Sequence, residues 1–147
     1  MSQVVSITVS QQSDYRFLVD FGAALSPLLG DEPAPLGGGA GPSPSQMLLA
    51  AVANCLSASL LFALQKYKQD AGGITTTASA RVDRNEENRL RVLEIAVTIR
   101  LGRSSVEIGQ LERILTQFEP FCTVSQSVCH GIPISVAVED GRGVRVK

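Results

Sequence analysis

The feature that most constrains the fold of this 147-residue chain is an uncharged run of eighteen residues, from Met47 to Leu64. A helix that is apolar on every face must be buried on every face, in a membrane or at the centre of a globular domain. A membrane span needs about 20 predominantly apolar residues, whereas this run is interrupted by Asn54, Ser57 and Ser59. Amphipathic segments typical of sheet strands flank it. We therefore expect a central core helix and no membrane partner.

The ends of this helix are marked in the stretch "GPSPSQMLLAAVANCLSASLLFALQKYKQD". Ser43 fits the N-cap, Pro44 the first helical position and Gln46 the N3 position of a capping box. Lysines near the far end suit the helix dipole, and Gly72-Gly73 supplies a stop. The predicted span is roughly residues 44–70.

Three segments alternate in polarity as strands do. Residues 3–21 predict a hairpin, and residues 74–84 and 89–101 predict a long antiparallel hairpin with a bulge near 92–93. The loop from Gly22 to Ser43 is rich in glycine, proline and leucine, and loops of this length are usually functional or disordered. We expect it to cover a surface, such as that of a partner subunit.

The C-terminal third predicts two more helices and a strand. Apolar residues recur at helical spacing from about 105 to 118, and Pro120 ends that pattern. "FCTVSQSV" predicts a short third helix that Gly131 ends, and "IPISVAV" predicts a last strand. The expected fold class is α+β: one domain, 1–147, with antiparallel sheet packed against a very apolar helix and an amphipathic helix.

Composition excludes several classes of function. Thirteen basic and fourteen acidic residues give a net charge of −1, without the basic block that nucleic-acid binding needs. The N-terminal "MSQVVSITVS" lacks the pattern of a signal peptide. Three cysteines are then expected to be reduced thiols in the cytoplasm rather than a disulfide scaffold.

Cys55, at the centre of the apolar helix, has two interpretations. A lone cysteine in such a helix is usually a small packing residue, and burial alone would raise its pKa and leave it inert. It also lies too far from the helix start for the dipole to acidify it much. Its neighbour Asn54 must find hydrogen-bond partners wherever it is buried, in the core or at an interface.

Cys122, Cys129 and His130 form a second group, in "CTVSQSVCH". The spacing does not fit the paired cysteines of a zinc site, so no metal is expected. His130 is the chain's single histidine, and its position beside Gly131 favours a loop or cap residue over the base of a nucleophilic dyad. "GGGAG" lies in a Pro-rich loop and not between a strand and a helix, so no cofactor is expected.

Taken together, "PSPSQMLLAAVANCLSASLLFAL" on a central helix and "FCTVSQSVCHGIPISVAV" near the end resemble the OsmC/Ohr family of osmotically inducible and organic hydroperoxide resistance proteins. The order of elements matches over nearly the whole chain. The resemblance implies an OsmC-like fold and an intertwined homodimer. It also implies a thiol peroxidase that acts on a hydroperoxide and is reduced by an external dithiol.

Carried over by motif, Cys55 matches the family's peroxidatic cysteine and Cys122 its resolving cysteine, whereas Cys129 has no counterpart. Cys122 lies at the start of the short helix, where free N–H groups stabilise a thiolate. If that segment is helical, Cys122 and Cys129 have sulfurs about 10 Å apart, too far for a disulfide. We therefore expect oxidation to join Cys55 to Cys122.

The sequence departs from the organic hydroperoxide branch at two positions. Ser45 stands where that branch has a glutamate, ten residues before the peroxidatic cysteine. Ser13 stands where it has the arginine that stabilises the thiolate, and Arg16 follows three residues on. We expect Arg16, or another arginine, near Cys55 if that thiol reacts. The alternative function is a non-enzymatic OsmC-like small-molecule binder or redox-responsive protein.

Overall fold

The computed structural model describes residues 2–22 and 24–147, so Met1 and Ala23, the latter in the predicted loop, lie outside the described residues. In chain order the strands and helices are β1 (Thr8–Ser13), β2 (Arg16–Asp20), β3 (Leu28–Gly30), α1 (Pro44–Lys66), β4 (Ile74–Arg84), β5 (Leu90–Leu101), α2 (Leu111–Phe118) and α3 (Thr123–His130). Single 3-10 turns, Ser105–Glu107 and Glu119–Phe121, precede and follow α2. The α+β class is confirmed.

Helix α1 begins as the sequence predicts. The backbone N–H of Gln46 donates to Ser43 Oγ at 3.3 Å, and the N–H of Ser43 donates to Gln46 Oε1 at 2.9 Å, which completes the capping box. The helix ends at Lys66, four residues before the predicted end, and Lys68 has a left-handed φ of 55°. By length and composition α1 is long and apolar enough to span a membrane, as the core helices of globular proteins can also be. Here it packs on α2, α3 and the β4–β5 hairpin.

The prediction that α1 is buried on every face is wrong for a single chain. Val52, Leu56, Leu60 and Leu64 are buried against the rest of the molecule. Leu61 and Phe62 are 48% and 70% exposed, and they lie on a face that continues through Asn54 and Ala58, both also exposed. We call this stripe, Asn54, Ala58, Leu61, Phe62 and Gln65, the exposed face of α1.

The β4–β5 hairpin is confirmed, and so is its bulge. The pairing runs from Ile74 opposite Leu101 to Arg84 opposite Leu90. Arg81 pairs with Glu94 and Val82 with Val92, which leaves Leu93 as the extra residue. One face of β4 packs on α1, where Ser57 Oγ contacts Thr76 Oγ1 at 2.5 Å.

The first sheet is shifted from its predicted position and includes a third strand. β1 starts at Thr8 and continues through the predicted turn to Ser13, where it pairs with Arg16 across a tight connection. Part of the Gly/Pro loop forms β3, which pairs with β2. This part of the loop therefore extends the sheet by one strand.

Two predictions for the C-terminal third are wrong. The second helix begins at Leu111 rather than near 105, because Gln110 has a left-handed φ of 59° that separates the first turn from α2. Residues 132–138 form no strand; they are exposed, and beyond them a single bridge joins Glu139 to Arg145. A strand needs a neighbour for its N–H and C=O groups, and in the described chain only Val138, at the end of this segment, has one, in Val146 and Lys147.

Candidate functional site

Cys55 lies in the middle of α1 at the rim of an apolar cavity. It is half-buried, and the cavity of about 470 Å³ beside it lies between α1 and the region where α2 ends and α3 begins. Residues at helical spacing on α1 line one wall: Cys55, Ala58, Ser59, Phe62, Ala63 and Lys66. The opposite wall comprises Gln117, Phe118, Phe121 and Thr123. A small apolar molecule entering the cavity would meet the Cys55 thiol.

Cys122 lies at the N-cap of α3, as predicted. The turn Glu119–Phe121 ends α2, and Cys122 leaves it in an extended conformation with φ −76° and ψ 102°. The Ser125 backbone N–H donates to Cys122 Sγ at 3.5 Å, in the way that an N-cap side chain accepts from the first turn. Cys122 is fully buried, at 0% exposure, and it does not line the Cys55 cavity.

Cys55 and Cys122 are 67 positions apart in sequence, and the fold brings them together. Cys122 forms a buried cluster with Val52 and Leu56 of α1, and Cys55 packs against that cluster. The proximity of the two thiols raises the pKa of Cys55 and lowers the pKa of Cys122. All three cysteines of the chain are free thiols.

The surroundings shift the pKa values of the two thiols in opposite directions. Burial raises the pKa of Cys55, and Cys122 raises it further, against opposition from the N–H groups of Val124 and Thr123. Burial also acts to raise the pKa of Cys122, but hydrogen bonds from Ser125, Cys55 and Ser59 outweigh it and lower that pKa. The thiolate of the pair therefore forms first on the buried Cys122.

Ser125 contributes to this asymmetry with its side chain as well. Its buried hydroxyl has no hydrogen-bond partner among the described residues. The same hydroxyl is close enough to Cys122 to lower the pKa of that thiol, so it is available to the thiolate. A charged acceptor attracts such a donor more strongly than a neutral thiol does.

Cys129 and His130 lie apart from this pair, on the exposed end of α3. His130 Nδ1 is 2.7 Å from the Gln126 carbonyl oxygen and 3.2 Å from Cys129 Sγ. Because a carbonyl only accepts, Nδ1 carries the hydrogen and cannot remove the proton of Cys129. This is a capping arrangement rather than a nucleophile with its base.

Arg16 does not contact Cys55 within one chain. Its Nε lies 3.7 Å from Oδ2 of the buried Asp31, and it lines a different cavity together with Asp31 and Gly38. Ser13 ends β1 in the same region. Ser45 is in the first turn of α1, about 15 Å along the helix axis from Cys55 at 1.5 Å per residue.

Sequence reasoning missed two residues of the cavity. Ser59 and Lys66 follow Cys55 at i+4 and i+11, so they lie on the same face of α1. That spacing was visible in the sequence, where Ser59 counted only as an interruption of the apolar run and Lys66 only as a helix-end cation. Lys66 is the cation that lines the Cys55 cavity in the described chain.

Comparison of the sequence with known proteins gives one family match. Residues 37–137 match the family model described as OsmC-like protein. No curated protein matches the sequence.

Solved structures share the fold at low sequence identity. An OsmC-like protein from Mycoplasma pneumoniae superposes with a TM-score of 0.72 at 15% identity, over 90% of this chain and 91% of the other. An organic hydroperoxide resistance protein from Elizabethkingia anophelis, with thiocyanate bound, gives 0.66 at 16% identity over 86% and 89%. A putative organic hydroperoxide resistance protein from Vibrio cholerae, with captopril in one of its active sites, gives 0.66 at 18% over 87% of each chain.

Proposed function

Because this chain belongs to the OsmC-like protein family, we propose that it is a thiol-dependent reductase of organic hydroperoxides. The observation that carries the proposal is the pairing of an accessible thiol with a buried one. Cys55 lines an apolar cavity, and Cys122 lies beside it, fully buried at a helix N-cap. Structural neighbours that are called organic hydroperoxide resistance proteins support the same proposal.

In this proposal Cys55 is the peroxidatic residue. Its sulfur attacks the terminal oxygen of the hydroperoxide, the O–O bond breaks, and an alcohol is released. The sulfenic acid left on Cys55 condenses with Cys122, forming a disulfide and releasing water. An external dithiol then reduces the disulfide by thiol exchange, and the cycle needs no cofactor.

The cavity favours an organic peroxide over hydrogen peroxide. Its volume, about 470 Å³, is in the range of small-molecule sites. Three aromatic rings, Phe62, Phe118 and Phe121, line it, and they offer apolar contacts that hydrogen peroxide cannot use. Lys66 and Gln117 supply the polar groups.

The proposal also covers the setting of the reaction. We take residues 1–147 as one OsmC-like domain that acts as a cytoplasmic homodimer in defence against oxidative stress. Within one chain Arg16 pairs with Asp31. In this scheme Arg16 therefore stabilises the Cys55 thiolate only if it leaves Asp31, or if a second copy of the chain brings its own Arg16 to the cavity.

One observation favours the second candidate, a non-enzymatic binder or redox-responsive protein. Burial raises the pKa of Cys55, and a protonated thiol is a poor nucleophile. The polar groups around Cys55, which include Ser59, Lys66 and the thiol of Cys122, favour the reductase instead.

A peroxide-consumption assay with dithiothreitol as the reductant separates the two. We expect the wild-type chain to consume cumene hydroperoxide faster than hydrogen peroxide, and Cys55→Ser to abolish consumption. Cys129→Ser removes an exposed thiol of the same chain and is the matched control, with near wild-type rates. Consumption that survives in Cys55→Ser, or none in the wild-type chain, would reject the reductase.

A further inference from the structure

A reactive cysteine nucleophile must be both accessible to substrate and deprotonated, and each of the two thiols meets only one of these requirements. Cys55 can meet a substrate because it lines the cavity, but its sulfur holds the proton of the pair. Cys122 is surrounded by donors that favour a thiolate, but it is fully buried and lines no part of that cavity. Neither residue alone is both accessible and charged.

The donors at Cys122 come from two elements that the fold holds in place. The Ser125 N–H of α3 donates to its sulfur, and the buried Ser125 hydroxyl has no other partner in the described part of the chain. Ser59 of α1, one turn after Cys55, adds a second hydroxyl. In contrast, no arginine lines the cavity of Cys55 in the described chain.

From this geometry we propose that Cys122 is the general base that removes the proton of Cys55 at the moment of attack, before it acts as the resolving thiol. This inference rests on the proposed reductase function and assigns a further catalytic role within it. Cys122 is placed to act as a base, because Cys55 packs against the buried cluster that Cys122 forms with Val52 and Leu56.

The steps balance in atoms and charge. The Cys55 proton moves to Cys122, the Cys55 thiolate forms an S–O bond with the terminal oxygen of the organic hydroperoxide, and the O–O bond breaks. The alkoxide takes a proton from water and leaves as alcohol. Cys122 then forms the S–S bond with Cys55, and the departing hydroxide takes the stored proton and leaves as water.

After this cycle an external dithiol reduces the disulfide. Both residues return as thiols, and Cys122 loses its proton first because its surroundings favour the charge. The pair therefore resets itself without a further residue.

The test is the rate of the first oxidation of Cys55, with no reductant present. A resolving cysteine acts only after that step, whereas a base acts in it. Using chains that carry Cys129→Ser, mass spectrometry would follow all oxidised Cys55, as dimedone-labelled sulfenic acid plus Cys55–Cys122 disulfide. The time course would start with addition of cumene hydroperoxide, from pH 6 to pH 10, with and without Cys122→Ser.

We expect Cys122→Ser to slow this step about ten-fold or more at pH 7, since a positioned base contributes on the order of 10²–10⁴-fold. The deficit should shrink as pH rises, because hydroxide then deprotonates Cys55 directly. A misfolded variant would not recover in this way. An unchanged rate with an unchanged pH profile would overturn the inference, and so would rapid labelling of Cys122 in Cys55→Ser.

Ser125→Ala provides a second variant that keeps both thiols. Loss of its hydroxyl should raise the pKa of Cys122, so the pH midpoint of Cys55 oxidation should move upward. An unmoved midpoint would contradict the proposed base. If the Cys129→Ser chain fails to consume peroxide with dithiothreitol, the reductase function itself is rejected. If that chain turns over normally but Cys122→Ser leaves the first oxidation unaffected, only the base role of Cys122 is rejected.

Discussion

At the scale of single residues, contact between Cys55 and Cys122 makes their environments interdependent. Negative charge on one sulfur favours the proton on the other, so the pKa of Cys55 is raised and the pKa of Cys122 is lowered. Cys129 does not take part in this mutual influence between Cys55 and Cys122, because it is exposed at the C-terminal end of α3. The three thiols of the chain should therefore respond very differently to an oxidant.

We predict that peroxide treatment joins Cys55 to Cys122 and leaves Cys129 open to alkylation. Cys122→Ser should stop turnover after one oxidation and let Cys55 advance to sulfinic acid, because no thiol of the same chain then lies beside its sulfenic acid. Peptide mapping after alkylation measures both effects. Cys129→Ser is the control, and a Cys55–Cys129 disulfide would show that the roles are assigned wrongly.

At the scale of elements, the Gly/Pro loop is organised around one buried carboxylate. Asp31 Oδ2 accepts from the Ala40 N–H at 2.9 Å, and Oδ1 accepts from the Glu32 N–H at 2.8 Å, which closes the loop on itself. Gly37 lies directly against Asp31, where a Cβ atom would collide with its carboxylate. The pKa of Asp31 is lowered, chiefly by the Ala40 hydrogen bond, with Glu32, Gly38 and Arg16 adding to it against burial.

A depressed folded-state pKa gives a prediction for stability against pH. The contribution of Asp31 is fully present above its unfolded value of about 3.9 and is lost as pH falls through the lower folded value. Asp31→Asn should therefore lower the melting temperature by several degrees at pH 7 and flatten its fall below pH 4. Thermal melts from pH 2 to pH 7 would show this.

Asp14→Asn changes an exposed carboxylate in the β1–β2 turn and is the matched control for that experiment. Equal melting curves for the two variants would mean that the loop does not depend on Asp31.

The elements also show what the sequence could and could not predict. The capping box at Ser43 and the bulge at Leu93 were predictable, because both depend on neighbours close in sequence or on the alternation of one strand. The left-handed Gln110 was not, because its residue type does not demand that conformation. The prediction of the last strand was wrong for another reason. An alternating apolar segment forms a strand only beside a sheet edge, and the pattern of the segment does not show whether such an edge is available.

The site divides in the same way. The motif named Cys55 and Cys122, whose roles stay a prediction; the structure shows that the two residues pack together. Helix-end reasoning agrees with the lowered pKa of Cys122. The pairing of Arg16 with Asp31 was hidden, because it depends on how a loop of irregular backbone folds back over β2. Ser59 and Lys66 were readable from helical spacing alone.

At the scale of the whole molecule, much apolar surface is uncovered. The exposed face of α1 carries Leu61 and Phe62, and the C-terminal segment exposes Ile134 at 85% and Val136 at 62%. Exposed apolar surface of this extent usually marks an interface, and a second copy of the chain would cover the same residues on both subunits.

We predict an obligate homodimer at micromolar concentration. Leu61→Asp should shift it towards monomer, since burying an unpaired carboxylate at an interface costs several kcal/mol. Val106→Asp places the same charge at a residue that is 91% exposed outside α1, and it should leave the dimer intact. Sedimentation velocity measures both, and a stable folded monomer of the wild-type chain would contradict the prediction.

Helices α1 and α3 of one chain supply both Cys55 and Cys122. Under the proposed function, an assembly of such chains would hold as many redox-active thiol pairs as it has subunits, and both thiols of each pair would come from the same subunit. Irreversible over-oxidation would then remove centres one at a time, without silencing their neighbours. A population under prolonged peroxide exposure would lose capacity gradually, in proportion to the damaged chains, rather than failing all at once.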